Sequence, residues 1–484
     1  MSASFRRAAL IAVLAAALVG TGVADRLVGR GAPATVRPPD ALADLHSAPR
    51  AGTESSAWYC AGGTGAQGGA PATIAVTNAS GRPATATVTA VPAQTGQGAP
   101  PAPWAGAHTT ALRVPAYAEV TVPATALGGS TGVAAAVVVD GGGVAVAEGV
   151  SSPLGWSMAP CASTTSPDWY FAHGATSQGG GLTLSLFNPG ATDATVDVSL
   201  VVPGAGVLEP AAYQGIGVAP GSLVTENVGD HAPQDAVIAT EVSTLAGSVV
   251  ASEVESVGTP GAGGLSLTLG TPTPAATWVF AQNTDVTGGT VAFHVFNPSA
   301  QPAVVSVALG LPQGAAAEPF TLTVPSQSVS TLVAENETRI PSDVPYAVSF
   351  TSRGADVVVS RQVTGPPAAP APLEGDAPGL PGGLRRWLVS SVVPPGTGAW
   401  SLGVVDMGTR PTEVRVLTPK GTAFAGRSTW LVRPGTPLFI GPGLGAPYGT
   451  APFEVEAQQP VAVELDGVPV GAPGAVVVPA LSAP

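Results

Sequence analysis

Charge is scarce in this sequence, and lysine is nearly missing. Charged residues make up 10% of 484 positions, Lys420 is the single lysine, and 31 acidic residues outnumber 18 basic ones for a net charge of -13. Without a basic stripe there is no surface for nucleic acid and no polybasic contact for anionic lipid. Cysteine is limited to Cys60 and Cys161, and neither has a second Cys or a His at ligand spacing. The histidines His46, His108, His173, His231 and His294 stand apart, none at the i, i+4 or shorter spacing of a metal site. The sequence therefore predicts no metal and no cofactor. Aromatic residues are only 5%, whereas 63 glycines and 50 prolines punctuate the chain. That composition leaves helices little room and favours short strands joined by turns.

One long apolar run is present. Arg6 and Arg7 precede an uncharged stretch from Ala8 to Ala24, followed by Asp25. This is the pattern of a signal peptide, with Gly22 and Ala24 as small residues before the cleavage point. The run also approaches the roughly 20 residues that span a bilayer, so an N-terminal membrane anchor is the other reading of residues 1–24. Either places the rest of the chain outside the cytoplasm, secreted or anchored to the cytoplasmic membrane by residues 8–24. The membrane is expected to be touched only there. Residues 467–484 are also uncharged, but Pro469, Pro473 and Pro479 break them into a last strand and a tail. In an oxidising compartment Cys60 and Cys161 should pair, stabilising by at most about 4.7 kcal/mol in the chain-entropy account.

Tryptophan recurs at Trp58, Trp169, Trp278 and Trp387, at intervals of 111, 109 and 109 residues. Nineteen or twenty residues further on lies a turn residue: Asn78, Asn188, Asn297 or Asp406. A fixed period signals an array of like units, and one near 109 residues is domain-sized. Within the second unit, residues 182–186 and 196–200 alternate apolar with polar, the pattern of half-buried strands, around the turn Asn188-Pro189-Gly190. About seven strands in such a unit predict an immunoglobulin-like antiparallel β-sandwich. The expected layout is all-β: a Pro/Ala-rich stalk over 25–56, then four tandem sandwiches over 57–163, 164–272, 273–380 and 381–484. Cys60–Cys161 would close the first sandwich. Residues 258–276 and 365–383 read as Pro/Gly joints, so each unit should fold on its own. The landmark Trp should fill the core between the sheets.

Trp58-Tyr59-Cys60-Ala61-Gly62-Gly63, the later Trp-Tyr-Phe-Ala and Trp-Val-Phe-Ala openings, and the Asn-Pro turns carry a resemblance. The chain resembles an uncharacterised family of actinobacterial exported proteins, domain of unknown function 5719. The resemblance covers most of residues 57–484 and implies compartment and fold. It implies no catalytic residue.

Few residues suggest chemistry. Gly128-Gly129-Ser130-Thr131-Gly132 fits G-x-S-x-G, but a strand-like run follows it where a nucleophile elbow needs a helix. Gly441-Pro442-Gly443-Leu444-Gly445 has no helix behind it to cradle a phosphate. The pairs Glu253/Glu255, Glu454/Glu456 and Glu464/Asp466 each put two carboxylates on one strand face, which reads as a solvated face. His173 has Gly62, Gln282 and Ser391 at its counterpart positions and reads as a surface or turn residue. Trp104, Trp156, Trp400 and Trp430 fall outside the register and form the candidate binding surface, for sugar rings or a protein. The expectation is a rod of four sandwiches at the cell envelope, a non-enzymatic structural or interaction protein whose partner is an envelope protein or polysaccharide. Cell-wall polysaccharide binding through exposed Trp is the alternative, and a hydrolase with a site hidden from linear motifs comes third.

Overall fold

The computed structural model describes residues 55–482 except 63–71, 95–101, 124–125, 127–131, 178–179, 260–261, 284–288, 313–316, 342–343, 366–373, 391–398, 419, 424–428, 442–451, 469–475 and 480. The export segment, the stalk before Ser55, most of the G-x-S-x-G stretch and most of the glycine run at 441–445 lie outside the described residues. Among those described, no helix is long and apolar enough to cross a membrane.

The first set of strands is β1 (Ser55–Cys60), β2 (Ala72–Asn78), β3 (Ala84–Gln94), β4 (His108–Val114), β5 (Ala118–Pro123), β6 (Val133–Asp140), β7 (Val144–Ser152) and β8 (Gly155–Pro160). Period-two patterning makes them strands: along β3, Ala84, Ala86 and Val88 turn inward and Thr85 and Thr87 outward. β1 pairs with β6, β6 with β3 and β3 with β4. The facing sheet has the order β5-β2-β7-β8. Every pair is antiparallel, and the two inner faces enclose a core of Trp58, Ile74, Val88 and Val137.

The pairing scheme recurs. The first-strand counterparts Asp168–Phe171, Thr277–Asn283 and Leu384–Val389 pair with the sixth-strand counterparts Ala239–Ala246, Tyr346–Arg353 and the start of Phe453–Val468. The second-strand counterparts Gly181–Asn188, Thr290–Asn297 and Ala399–Asp406 pair with Val250–Thr259, Val358–Thr364 and the end of Phe453–Val468. This departs from the expected immunoglobulin order, in which the first strand pairs with the second and the seventh with the sixth. Here the first and seventh strands have exchanged sheets.

Both sequence landmarks act between the elements they join. The indole Nε1 of Trp169, Trp278 and Trp387 donates across the sandwich to the carbonyls of Val249, Val357 and Val461 at 2.8, 2.7 and 2.7 Å. The landmark asparagines fasten two turns together. Asn297 Nδ2 donates to Gln301 O at 2.8 Å and Pro325 O at 2.9 Å, and its Oδ1 accepts from Ser299 N at 3.0 Å. Asn78 and Asn188 do the same with Arg82 and Pro115, and with Thr192 and Val218. Asp406 keeps only the accepting half, from Gly408 N.

The residues read as joints are not linkers. Residues 258–276 contain the strand Ala262–Leu269 and residues 365–383 contain Glu374–Pro378, the counterparts of β8. These strands meet: Leu267 N donates to Ser157 Oγ of β8 at 2.9 Å, and Asp376 N donates to Ser266 Oγ at 2.8 Å. Val476–Pro479 touches both Glu374–Pro378 and β8. The last strands of the four sets thus form a closed cycle, where the sequence predicted a rod. Cores also run across the sets, since Ala61, Val91 and Leu154 pack with the second set, and β3 pairs in parallel with Ser222–Asn227.

Candidate functional site

Polar side chains collect where one set of strands meets the next. In the second and third sets the position four residues after the landmark Trp (His173, Gln282) and the position four residues after the valine facing it (Glu253, Arg361) lie at these junctions with different chemistry.

Between the first and second sets, Gly62 N donates to Glu148 Oε2 at 2.9 Å, and Gly62 O accepts from Ser252 Oγ at 2.8 Å. Gly62 has φ +73, and a Cβ there would strike Val133 O, so the close approach requires glycine. The neighbouring Cys60–Cys161 disulfide has an S–S distance of 2.02 Å and is buried with Glu148. Burial pushes the Glu148 carboxyl up to about 8, against the smaller opposing effect of the Gly62 hydrogen bond.

The junction of the second and third sets is the richest. His173 Nδ1 lies 3.5 Å from Glu255 Oε2 and 3.5 Å from Asp376 Oδ2. The His173 and His294 rings stack with centroids 4.2 Å apart, and His294 Nδ1 meets Thr331 Oγ1 at 3.0 Å. His173, Glu253, Glu255, His294 and Asp376 are all buried. Burial raises Glu253 to about 8 and Glu255 to about 7, with His173 opposing the rise and Asp376 adding to it. Burial and the neighbouring imidazole hold His294 well below the usual histidine range. Such a cluster of perturbed groups is the pattern that marks candidate sites.

Between the third and fourth sets a cation sits in the same setting. Arg361 Nη2 donates to Glu464 Oε1 at 2.7 Å and Asp466 Oδ1 at 3.1 Å, while Nη1 donates to Asn283 Oδ1 at 3.0 Å and to Gln282 O. Between the fourth and first sets, Ser390 and Thr77 both donate to Glu119 Oε2 at 2.7 Å.

These positions correct three expectations. Glu253, Glu255, Glu454 and Glu464 are buried rather than solvated, because the strand faces that carry them are covered where sets meet. His173 is 2% exposed and belongs to the junction, not the surface. Trp156 at 8% and Trp430 at 7% exposure fill a core shared by the first, third and fourth sets, so neither indole faces a ligand. Trp104 is half-buried, with its ring edge-on to Phe187 at 6.3 Å, and wedges the first set against the second. The Trp400 side chain lies outside the described residues. Arg361 and Asp376 went unnoticed in the sequence, and His294 read as an isolated histidine, because no local spacing links residues that meet only across a junction.

A separate surface groove of about 190 Å³ is lined by Asp197, Ser199, Glu209, Glu241 and Ser243, with Val207 among its apolar edges. Burial and the nearby Asp168 raise the Glu241 carboxyl.

Residues 151–364 match a family of unknown function, DUF5719. The matched segment contains the Trp-Tyr-Phe-Ala and Trp-Val-Phe-Ala openings and both Asn-Pro turns. No curated protein matches the sequence. Among solved structures, Thermotoga maritima 1070 is similar at 13% identity and a TM-score of 0.21, covering 22% of this chain and 94% of its own. Anabaena sensory rhodopsin transducer is similar at 20% identity and 0.17, covering 18% and 88%. Likenesses this slight support no inference about this chain.

Proposed function

We propose that this chain is a non-enzymatic, extracytoplasmic structural or interaction protein of the cell envelope, exported or anchored by residues 8–24 and built from four tandem sandwich copies. The observation that supports this best is where its polar groups go. Glu148, Arg361, Glu464 and Ser390 are each bonded to backbone or side chains across or beside a junction, so they hold copies together instead of opening toward a substrate. The buried disulfide agrees with an oxidising compartment. Outward sheet faces remain for an envelope partner. Protease accessibility on intact cells, with crosslinking through those faces, tests the reading. Retention in the cytosol with both thiols alkylatable would refute it, as would turnover of an envelope polymer by the purified chain.

Cell-wall polysaccharide binding stands as a second reading. It shifts from the tryptophans to the groove, where carboxylates and hydroxyls of Asp197, Ser199, Glu209 and Glu241 can accept and donate to sugar hydroxyls. Sedimentation with purified cell wall, comparing the wild type with Glu241→Gln, should show weaker retention of the variant. Equal retention removes this reading.

A further inference from the structure

In a chain with so few charged residues, the junction of the second and third sets gathers five titratable side chains from four directions. Glu253 and Glu255 lie on Val250–Thr259, Asp376 on Glu374–Pro378 and His294 on Thr290–Asn297, while His173 follows Asp168–Phe171. Arg361 lies four residues after Val357, whose carbonyl holds the Trp278 indole, and Glu253 lies four residues after Val249, whose carbonyl holds the Trp169 indole. Equivalent positions thus carry a permanent charge at one junction and a titratable carboxyl at the other.

The charges balance only with protons present. His173 pairs with Glu255 and with Asp376 at 3.5 Å each, and one imidazolium offsets one carboxylate. His294 adds no second cation. Its ring stacks on His173, and burial and that neighbour hold it well below the usual histidine range, against a hydrogen bond with Gln362. The Thr240 hydroxyl donates to Glu253, which also faces Asp376, Glu255 and His173. Three buried carboxyls therefore meet one imidazolium, and the cluster is neutral only while two of the three keep their protons. Excess charge buried there is costly.

We propose that this junction is a proton-held latch, which closes the second set onto the third while Glu253 and Glu255 are protonated and loosens when they ionise. Burial places Glu253 at about 8 and Glu255 at about 7, both above their ordinary 4.5. The closed junction therefore keeps protons that its separated surfaces release. The stability these two groups contribute is complete below the ordinary value and is gone once pH has risen through about 7 for Glu255 and about 8 for Glu253. His294 acts in the opposite sense: its contribution is present above its ordinary 6.5 and is lost as pH falls. Above pH 6.5 the two glutamates act without it. The latch reaches beyond the cluster, because Ala172, Val201 and Ala239 pack into the third set's core. The surface groove also draws its walls from both sets, Asp197 and Glu241 from the second and Phe296 and Gln327 from the third, so loosening the junction takes the groove apart.

Amide hydrogen exchange on the full chain at pH 6.5 and 8.5, corrected for the intrinsic change in rate, tests the latch, with circular dichroism to show that the chain stays folded. Each group contributes up to about tenfold per pH unit between its ordinary and its folded value. Protection over Ala262–Leu269 and Glu374–Pro378 should therefore fall at least about tenfold in the wild type. Glu253→Gln, which keeps the shape of the protonated carboxyl and cannot ionise, should retain most of that protection, and Glu255→Gln part of it. Glu148→Gln, at another junction, should leave the loss in place. Steady protection of these strands in the wild type overturns the proposal without recourse to any variant. So does a folded Glu253→Gln chain that loses protection as steeply as the wild type, or a Glu148→Gln chain in which the loss disappears.

Discussion

Asn297 is one side chain with bonds to two backbone turns, and it shows how much a single turn residue carries here. Asp406 occupies the same place without the amide donor, and its Oδ2 is buried without a partner, which raises its carboxyl through burial. Asp406→Asn should therefore stabilise the fourth set by about 1 kcal/mol by restoring a donor, and Asn297→Asp should cost about 1–3 kcal/mol. Chemical denaturation of both variants checks the opposite signs. Tryptophans do not divide into core and surface as the register suggested. Trp430→Ala should destabilise by about 3–5 kcal/mol, as much as Trp278→Ala, since both leave cavities; near-neutral Trp430→Ala would contradict the burial seen here.

Glu148 links residue chemistry to pH. Its folded carboxyl lies at about 8 against an ordinary 4.5, so between those values the folded chain keeps a proton that the unfolded chain releases. The stability it contributes is complete below the ordinary value and is lost as pH rises through about 8. Thermal melts across this range should show the wild type losing stability relative to Glu148→Gln as pH increases. A constant offset between the two would show that the carboxyl is not held neutral.

At the scale of the element, the eighth strands of the second and third sets are the part that composition concealed. Leu265, Leu267 and Leu269 alternate with Ser266 and Thr268, a legible period of two, yet the surrounding glycines and prolines made the segment read as a spacer. What makes it a strand is its partner: it pairs with Val250–Thr259 and its outward hydroxyls meet Asp376 O at 3.3 and 3.2 Å. Leu267→Ala should cost about 2–5 kcal/mol, measurable by denaturant titration, where a linker would tolerate it without change. The strands around Asn188 and Asn297 were legible because alternation and turn chemistry agree locally. The first strand's sheet was not, because pairing with the sixth strand instead of the second is a long-range choice.

For the whole molecule, the cycle of eighth strands and the shared cores make the sets interdependent. A chain beginning at Ser163 loses Ala61, Val91 and Leu154 from the second set's core, the β3 edge beside Ser222–Asn227, and β8 from the cycle. It should aggregate or melt without cooperativity in calorimetry, the reverse of what independent units predict. A sharp, reversible transition for that fragment would restore the picture of separable beads.

By itself the sequence determined the all-β class, the period, the landmark Trp and Asn positions and the pairing of Cys60 with Cys161, because each rests on local alternation, turn chemistry or the simple count of two cysteines. Tertiary structure alone decided which sheet each end strand joins, that the sets close on one another, and that His173, Glu255 and Asp376 meet. Those outcomes depend on burying the second face of the sheet that carries the second strand of each set, and no stretch of chain read in isolation shows what will cover it.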